Sequence, residues 1–155
     1  MICDGIEFRE GTATREDIQA HLEGCDSTFS PKLSLKVNIE EYSRKIRARA
    51  RTFEAWLDDE LIGLVAAYMN DLGTRTSFIT SVSVAQDFMG RGIASALLDH
   101  CLNRSREEGM KAVRLEVSLD SGEAIQMYKK IGFSEIVRKG ETVSMELEIR
   151  EGRQS

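Results

Sequence analysis

The order of hydrophobic periods in this chain predicts an α/β (α+β) fold, a mixed antiparallel and parallel sheet flanked by helices. Two observations carry that prediction. Residues 53 to 84 repeat with the period of two that suits pleated strands, are broken twice by turns, and so read as an antiparallel meander. Beyond them helical and strand-like segments alternate, and strand, helix, strand at this spacing makes a parallel crossover.

The elements follow in order. Thr14, with Glu16 and Asp17 behind it, reads as the N-cap of a short helix over residues 15 to 24, where the acids suit the helix dipole. Residues 25 to 37, which hold the single proline, Pro31, read as loop. A second helix starts after Asn38, carries Glu40 and Glu41 in its first turn, and runs to about Arg51 on Ile39, Tyr42 and Ile46. Phe53, Ala55 and Leu57 then alternate with Glu54 and Trp56; the charged turn Asp58-Asp59-Glu60 follows, and Leu61 to Met69 completes a hairpin. A turn at Asn70 to Thr74 leads into a third strand, Thr76 to Val84. The longest amphipathic helix places Ile93, Ala94, Leu97, Leu98, Cys101 and Leu102 on one face and ends at Gly109. A strand Ala112 to Ser118, a helix Ser121 to Lys130, and strands near Phe133 to Val137 and Thr142 to Ile149 complete the order. No repeat, low-complexity tract or linker interrupts it, so residues 1–155 are expected to form one domain.

Composition narrows the function. With 41% apolar and 30% charged residues the chain has the balance of a soluble globule. No apolar run reaches the roughly 20 residues that a spanning helix needs, and Met1 to Gly5 lacks the start of a secretory signal. A cytoplasmic protein without a membrane partner is therefore expected. Twenty-six acidic against 21 basic residues give a net charge of −5, the wrong sign for a protein that binds nucleic acid through its phosphates. Cys3, Cys25 and Cys101 have no Cys-x-x-Cys spacing, and the two histidines, His21 and His100, fall on helices. Reduced thiols and no metal site are the expectation.

The most informative stretch is Gly90-Arg91-Gly92-Ile93-Ala94-Ser95, between a strand and the longest helix. Glycines there let successive backbone N–H groups turn toward one point, where they and the helix dipole can receive a pyrophosphate. A tight strand-to-helix turn without a ligand would look the same. The Walker pattern is absent, and a meander rather than a parallel βαβ unit precedes the glycines, which disfavours a dinucleotide fingerprint.

The surrounding residues add what the glycines lack. Val82-Ser83-Val84, Gly90-Arg91-Gly92-Ile93-Ala94 and Leu97-Leu98, followed by Ala124, Tyr128 and Gly132-Phe133, resemble two successive motifs of the Gcn5-related N-acetyltransferase (GNAT) family. The resemblance implies the acyl-CoA N-acyltransferase fold, acetyl-CoA as co-substrate, and direct transfer of its acetyl group to a primary amine in a ternary complex. It implies that the backbone of Val82, Ser83 and Val84 pairs with the pantetheine arm. It further implies that Gly90, Arg91, Gly92, Ile93, Ala94 and Ser95 hold the pyrophosphate, and that Ser121 stands where an asparagine touches the cofactor. Tyr128 matches the tyrosine that acts as general acid to the leaving thiolate; it also reads as a core aromatic beside Ile125. A phenol near its ordinary pKa of about 10 is matched to the thiol it would protonate.

For the base, strand alternation sets Glu116 on the face opposite Leu115 and Val117. Members that acetylate protein N-termini carry a similar Leu-Glu-Val, which makes Glu116 the candidate that deprotonates the amine through water. An exposed glutamate paired with Arg114 or a lysine is the other reading. Met89, Gln86 and Ser121 depart from the family's usual residues, which bears on cofactor affinity; Arg91 could restore some positive charge, and a solvent-facing arginine would look the same. Residues 25 to 37 are the expected specificity loop, while Glu54 and Trp56 could line the acceptor site, the surface or the core. The acceptor expected is a small-molecule amine or a peptide amino group, and the last strands could build a homodimer as they do in the family. The alternative is a non-catalytic acyl-CoA-binding sensor of the same fold, against which the presence of both Glu116 and Tyr128 argues.

Overall fold

Local chemistry sets the helix starts. In the computed structural model, which describes residues 5–149, Thr14 accepts a hydrogen bond from the Asp17 N–H and the Asp17 carboxylate accepts one from the Thr14 N–H, a reciprocal cap that begins α1 (Arg15–Gly24). Asn38 caps α2 (Ile39–Arg49) by accepting from the Glu41 N–H at 2.9 Å. The remaining helices are α3 (Ile93–Glu107) and α4 (Gly122–Ile131). The strands are β1 (Ile6–Glu10), β2 (Arg51–Leu57), β3 (Glu60–Tyr68), β4 (Thr76–Val84), β5 (Ala112–Ser118), β6 (Ser134–Lys139) and β7 (Thr142–Glu148).

These strands form one mixed sheet in the order β1-β2-β3-β4-β5-β7-β6. The meander β2-β3-β4 is antiparallel, and β4 and β5 are the parallel pair, joined across α3. β5 and β6 run in the same direction around α4, with β7 inserted between them and antiparallel to both.

Two differences from the sequence reading have physical causes. β1 was not expected: it is five residues long, so its alternation is too short to register, and it pairs with β2. β2 begins at Arg51, where helix was expected, and Thr52 to Trp56 are buried on both faces because helices cover both sides of the sheet. The loop from 25 to 37 contains two short 3-10 turns, Asp26–Thr28 and Leu33–Leu35.

The two layers differ in content. On one face α3 and α4 pack Leu97, Leu98, Cys101, Ile125 and Tyr128 against Phe53, Ile62, Val65, Val113 and Met145. Gly63 makes room for that packing, since a Cβ there would lie 3.0 Å from Ile93 Cγ2. On the other face Ile18, Leu22 and Ile46 of α1 and α2 pack against Trp56, Leu61, Leu64 and Ala66.

Candidate active site

The candidate residues meet where β4 and β5 part. Ser81 pairs with Ala66 and Ile79 with Ala67, so Thr80 is an extra residue in β4, a bulge. The Tyr42 hydroxyl, from α2, donates to the Thr80 carbonyl at 2.6 Å and fixes that bulge. Pairing with β5 stops at Ile79 and Leu115, although β4 continues to Val84 and β5 to Ser118. Residues 80–84 of β4 thus have no strand partner on the β5 side among the described residues.

A cavity of about 370 Å³ opens beside that unpaired stretch, walled by Val82, Ser83, Val84, the glycine turn, the first turn of α3 and the Tyr128 side of α4. Gly90 and Gly92 have φ of 78° and 81°, and no atom lies within 4 Å of where a Cβ would sit at either. Gly92 is also the N-cap of α3 and offers no side chain to it. The first N–H groups of the helix are therefore left for an anion. This cradle fits the diphosphate of a CoA ester: a positive helix end, open space and no competing cap. Arg91 lies with its guanidinium 5.2 Å over the Phe88 ring, and Met89 is half exposed on the rim.

A second cavity of about 390 Å³ lies on the far side of the splay. Glu116, Ser118 and Ser121 line it from β5 and the start of α4, Thr80 and Ser81 from β4, and Lys36 from the loop. Ser121, the N-cap of α4, stands with Glu116 rather than on the walls of the glycine-lined cavity. Thr28, Phe29, Val82, Ala124 and Tyr128 border both cavities. The loop between α1 and α2 thus lines both cavities.

Glu116 is exposed and makes no ion pair among the described residues; Arg114, its alternative partner, pairs with Glu146 at 2.7 Å. Tyr128 is buried against the edge of Phe133, with ring centroids 5.8 Å apart. Burial pushes its phenol up to about 12, above the ordinary value assumed from the sequence.

Sequence reasoning missed a buried anchor behind the β4 wall. His21 of α1 has Nδ1 3.0 Å from the Leu61 carbonyl and Nε2 2.8 Å from Ser83 Oγ. The Leu61 carbonyl only accepts, so Nδ1 carries the proton and Nε2 accepts from the Ser83 hydroxyl. Burial pulls the imidazole down to about 4, which keeps it neutral. Strand alternation sets Ser83 on the face opposite Val82 and Val84, a signal that points toward such a contact, but nothing in the sequence names its partner. Glu54 belongs to the core. Its carboxylate accepts from the Thr12 and Ala13 N–H groups, the Thr12 and Thr52 hydroxyls and the Trp56 indole. Burial pushes that carboxyl up, but the hydrogen bonds outweigh it and leave the group below its ordinary value.

A model of the acetyltransferase (GNAT) family matches residues 16–133. The chain belongs to that family. Among its relatives an uncharacterized N-acetyltransferase of Bacillus subtilis is 33% identical over 119 residues, 75% of each chain. Another, from Methanocaldococcus jannaschii, is 27% identical over 114 residues, 63% of this chain and 50% of that one. This GNAT chain spans about half or less of the length of several curated relatives that it matches. A putative acetyltransferase of Salmonella typhimurium, solved with acetyl-CoA, shares the fold with a TM-score of 0.75 at 16% identity, over 97% of this chain and 98% of that one. Among the described residues of this GNAT member no helix is long and apolar enough to cross a membrane.

Proposed function

We propose that residues 1–155 act as one cytoplasmic domain that transfers the acetyl group of acetyl-CoA to a primary amine. The observation that carries the reading is the pair of cavities that share Tyr128 at the splay of β4 and β5, one suited to a diphosphate and one holding a free carboxylate. The thioester supplies an activated acyl carbon: a C–N bond to the amine forms as the C–S bond breaks, with no covalent enzyme intermediate needed.

The chain's residues handle binding and protons. The backbone of Val82, Ser83 and Val84 pairs with the pantetheine arm, and the N–H groups of Gly90 to Ser95 hold the diphosphate. Glu116 takes the amine proton through water, and the Tyr128 hydroxyl gives its proton to the departing thiolate. The raised pKa of Tyr128 is compatible with that role. The apolar walls that destabilise a phenolate also destabilise a thiolate beside it, so both acids shift in the same direction. Cytoplasmic location accords with Cys25 and Cys101, which are free and buried, with burial pushing their thiols up to about 11 and about 12.

The test is thermal melting with acetyl-CoA, free CoA and nucleotides. A ligand of the folded state at 100 times its dissociation constant adds about 2.7 kcal/mol. A rise with acetyl-CoA that exceeds the rise with nucleotides supports the reading; no rise with any CoA species removes it.

A further inference from the structure

The acceptor cavity has one cation and one carboxylate among its described walls, Lys36 and Glu116. Neither is in an ion pair among the described residues, with each other or with a neighbour. The charges that could have silenced them are occupied: Arg114 by Glu146 at 2.7 Å, and Asp26, at the start of the loop, by the Ser34 N–H and hydroxyl, both at 2.7 Å. Lys36 is also held in place. Its N–H donates to the Leu33 carbonyl at 2.9 Å, Leu33 is buried beneath the loop, and the Asp26 to Ser34 bonds tie the two 3-10 turns together. A lysine whose backbone is held at the wall of a substrate cavity, and whose ammonium is in no ion pair among the described residues, favours an anionic group on the substrate.

We infer that the acceptor is a small primary amine that also carries a carboxylate or a phosphate, its anionic group on Lys36 and its amine toward Glu116. The inference rests on the acetyltransferase reading and narrows it. A diamine would set its second ammonium against Lys36, with no second carboxylate on the described walls to receive it. A peptide amide would leave the lysine unanswered.

The experiment measures kcat/KM for free amino acids, phosphorylated amines, their neutral amides or alcohols, a diamine and a C-terminally amidated peptide. Wild type, Lys36→Ala, Lys36→Arg and Lys36→Glu are compared, with acetyl-CoA binding to each followed by calorimetry. Wild type is expected to prefer the anionic amines over matched neutral ones by about tenfold or more, the size of a charge-assisted hydrogen bond. Lys36→Arg keeps that preference, Lys36→Ala erases it, and Lys36→Glu turns it toward the diamine; melting temperatures stay unchanged because Lys36 is exposed. The carboxylate and phosphate arms decide which anion is served. Equal or better use of the neutral amines, the peptide or the diamine by wild type overturns the inference, as does an unchanged ranking in Lys36→Glu. If acetyl-CoA binds while the ranking is flat, this inference alone falls. If acetyl-CoA does not bind, the acetyltransferase reading falls and takes the inference with it.

Discussion

The two faces of the sheet are held by different chemistry. Under α3 and α4 the contacts are mainly apolar, with the Ser105 hydroxyl bonded to Ser77 Oγ at 2.9 Å and directed at Met69 Sδ at 4.0 Å. Under α1 and α2 the apolar packing is interrupted by polar ties: His21 to Leu61 and Ser83, Glu54 to the segment from Thr12 to Ala13, and Tyr42 to Thr80. The first face supplies bulk stability and the cavity beside the glycine turn. The second positions the bulge that opens the sheet, and its loop shapes the acceptor cavity. The proposed active site is the place where the two meet, with Tyr128 lining it from the apolar side and Glu116 from the polar side.

That division is tested most severely by removing the candidate acid and base, which both line the second cavity. Tyr128→Phe and Glu116→Gln are each expected to lower kcat by about 100-fold, the lower end of what a positioned acid or base contributes. Melting temperatures should barely move, because both substitutions keep the side-chain volume. The two differ in pH behaviour. Glu116→Gln is expected to change the shape of the pH–rate profile, while Tyr128→Phe keeps it. Full activity in either variant removes that residue from the mechanism.

The polar face should also fail first in acid. His21 is neutral when folded, with its pKa down at about 4, whereas the unfolded chain's imidazole titrates near about 6.5. Below the unfolded value the unfolded state binds the extra proton, so stability is full above that pH and is lost as pH falls toward the folded pKa. At pH 5 the loss is about 2 kcal/mol. Glu54 has a depressed folded pKa, so its contribution is lost only at lower pH, below the ordinary carboxylate range. Denaturant titrations from pH 7 to 5 should therefore show a slope that flattens in His21→Gln, and hydrogen exchange should rise in α1 and α2 before α3. A uniform rise, or an unchanged slope in the variant, would mean that the layers do not differ in this way.

The same division explains what could be read in advance. The apolar face obeys period: Ile93, Leu97, Leu98 and Cys101 on α3 and the strands beneath announce themselves, and the glycine turn is contiguous from 90 to 95. The candidate acid and base could be placed because each sits in a short local pattern. The polar face is made of long-range pairs such as His21 with Ser83, 62 residues apart, and Tyr42 with Thr80, 38 apart. Such pairs leave no periodic trace. The bulge at Thr80 is fixed by the second of them, so the acceptor side stayed dark while the cofactor side was legible.

The smallest expected effect separates a turn from a binding site. Gly92→Ala places an alanine at φ of 81°, a left-handed conformation that costs an L-residue about 1 kcal/mol, but the new methyl meets no protein atom within 4 Å. Gly140, in the turn between β6 and β7, has φ of 62° and equally open space. Gly140→Ala should therefore show a similar loss of stability, and it serves as the control for backbone strain. If the glycine turn cradles a diphosphate, the methyl at residue 92 intrudes on it. The dissociation constant for acetyl-CoA should then rise about tenfold in Gly92→Ala, about 1.4 kcal/mol, and stay constant in Gly140→Ala, with KM for the amine untouched in both. Equal acetyl-CoA affinity in the two variants would leave residues 90 to 95 as a strand-to-helix turn and nothing more.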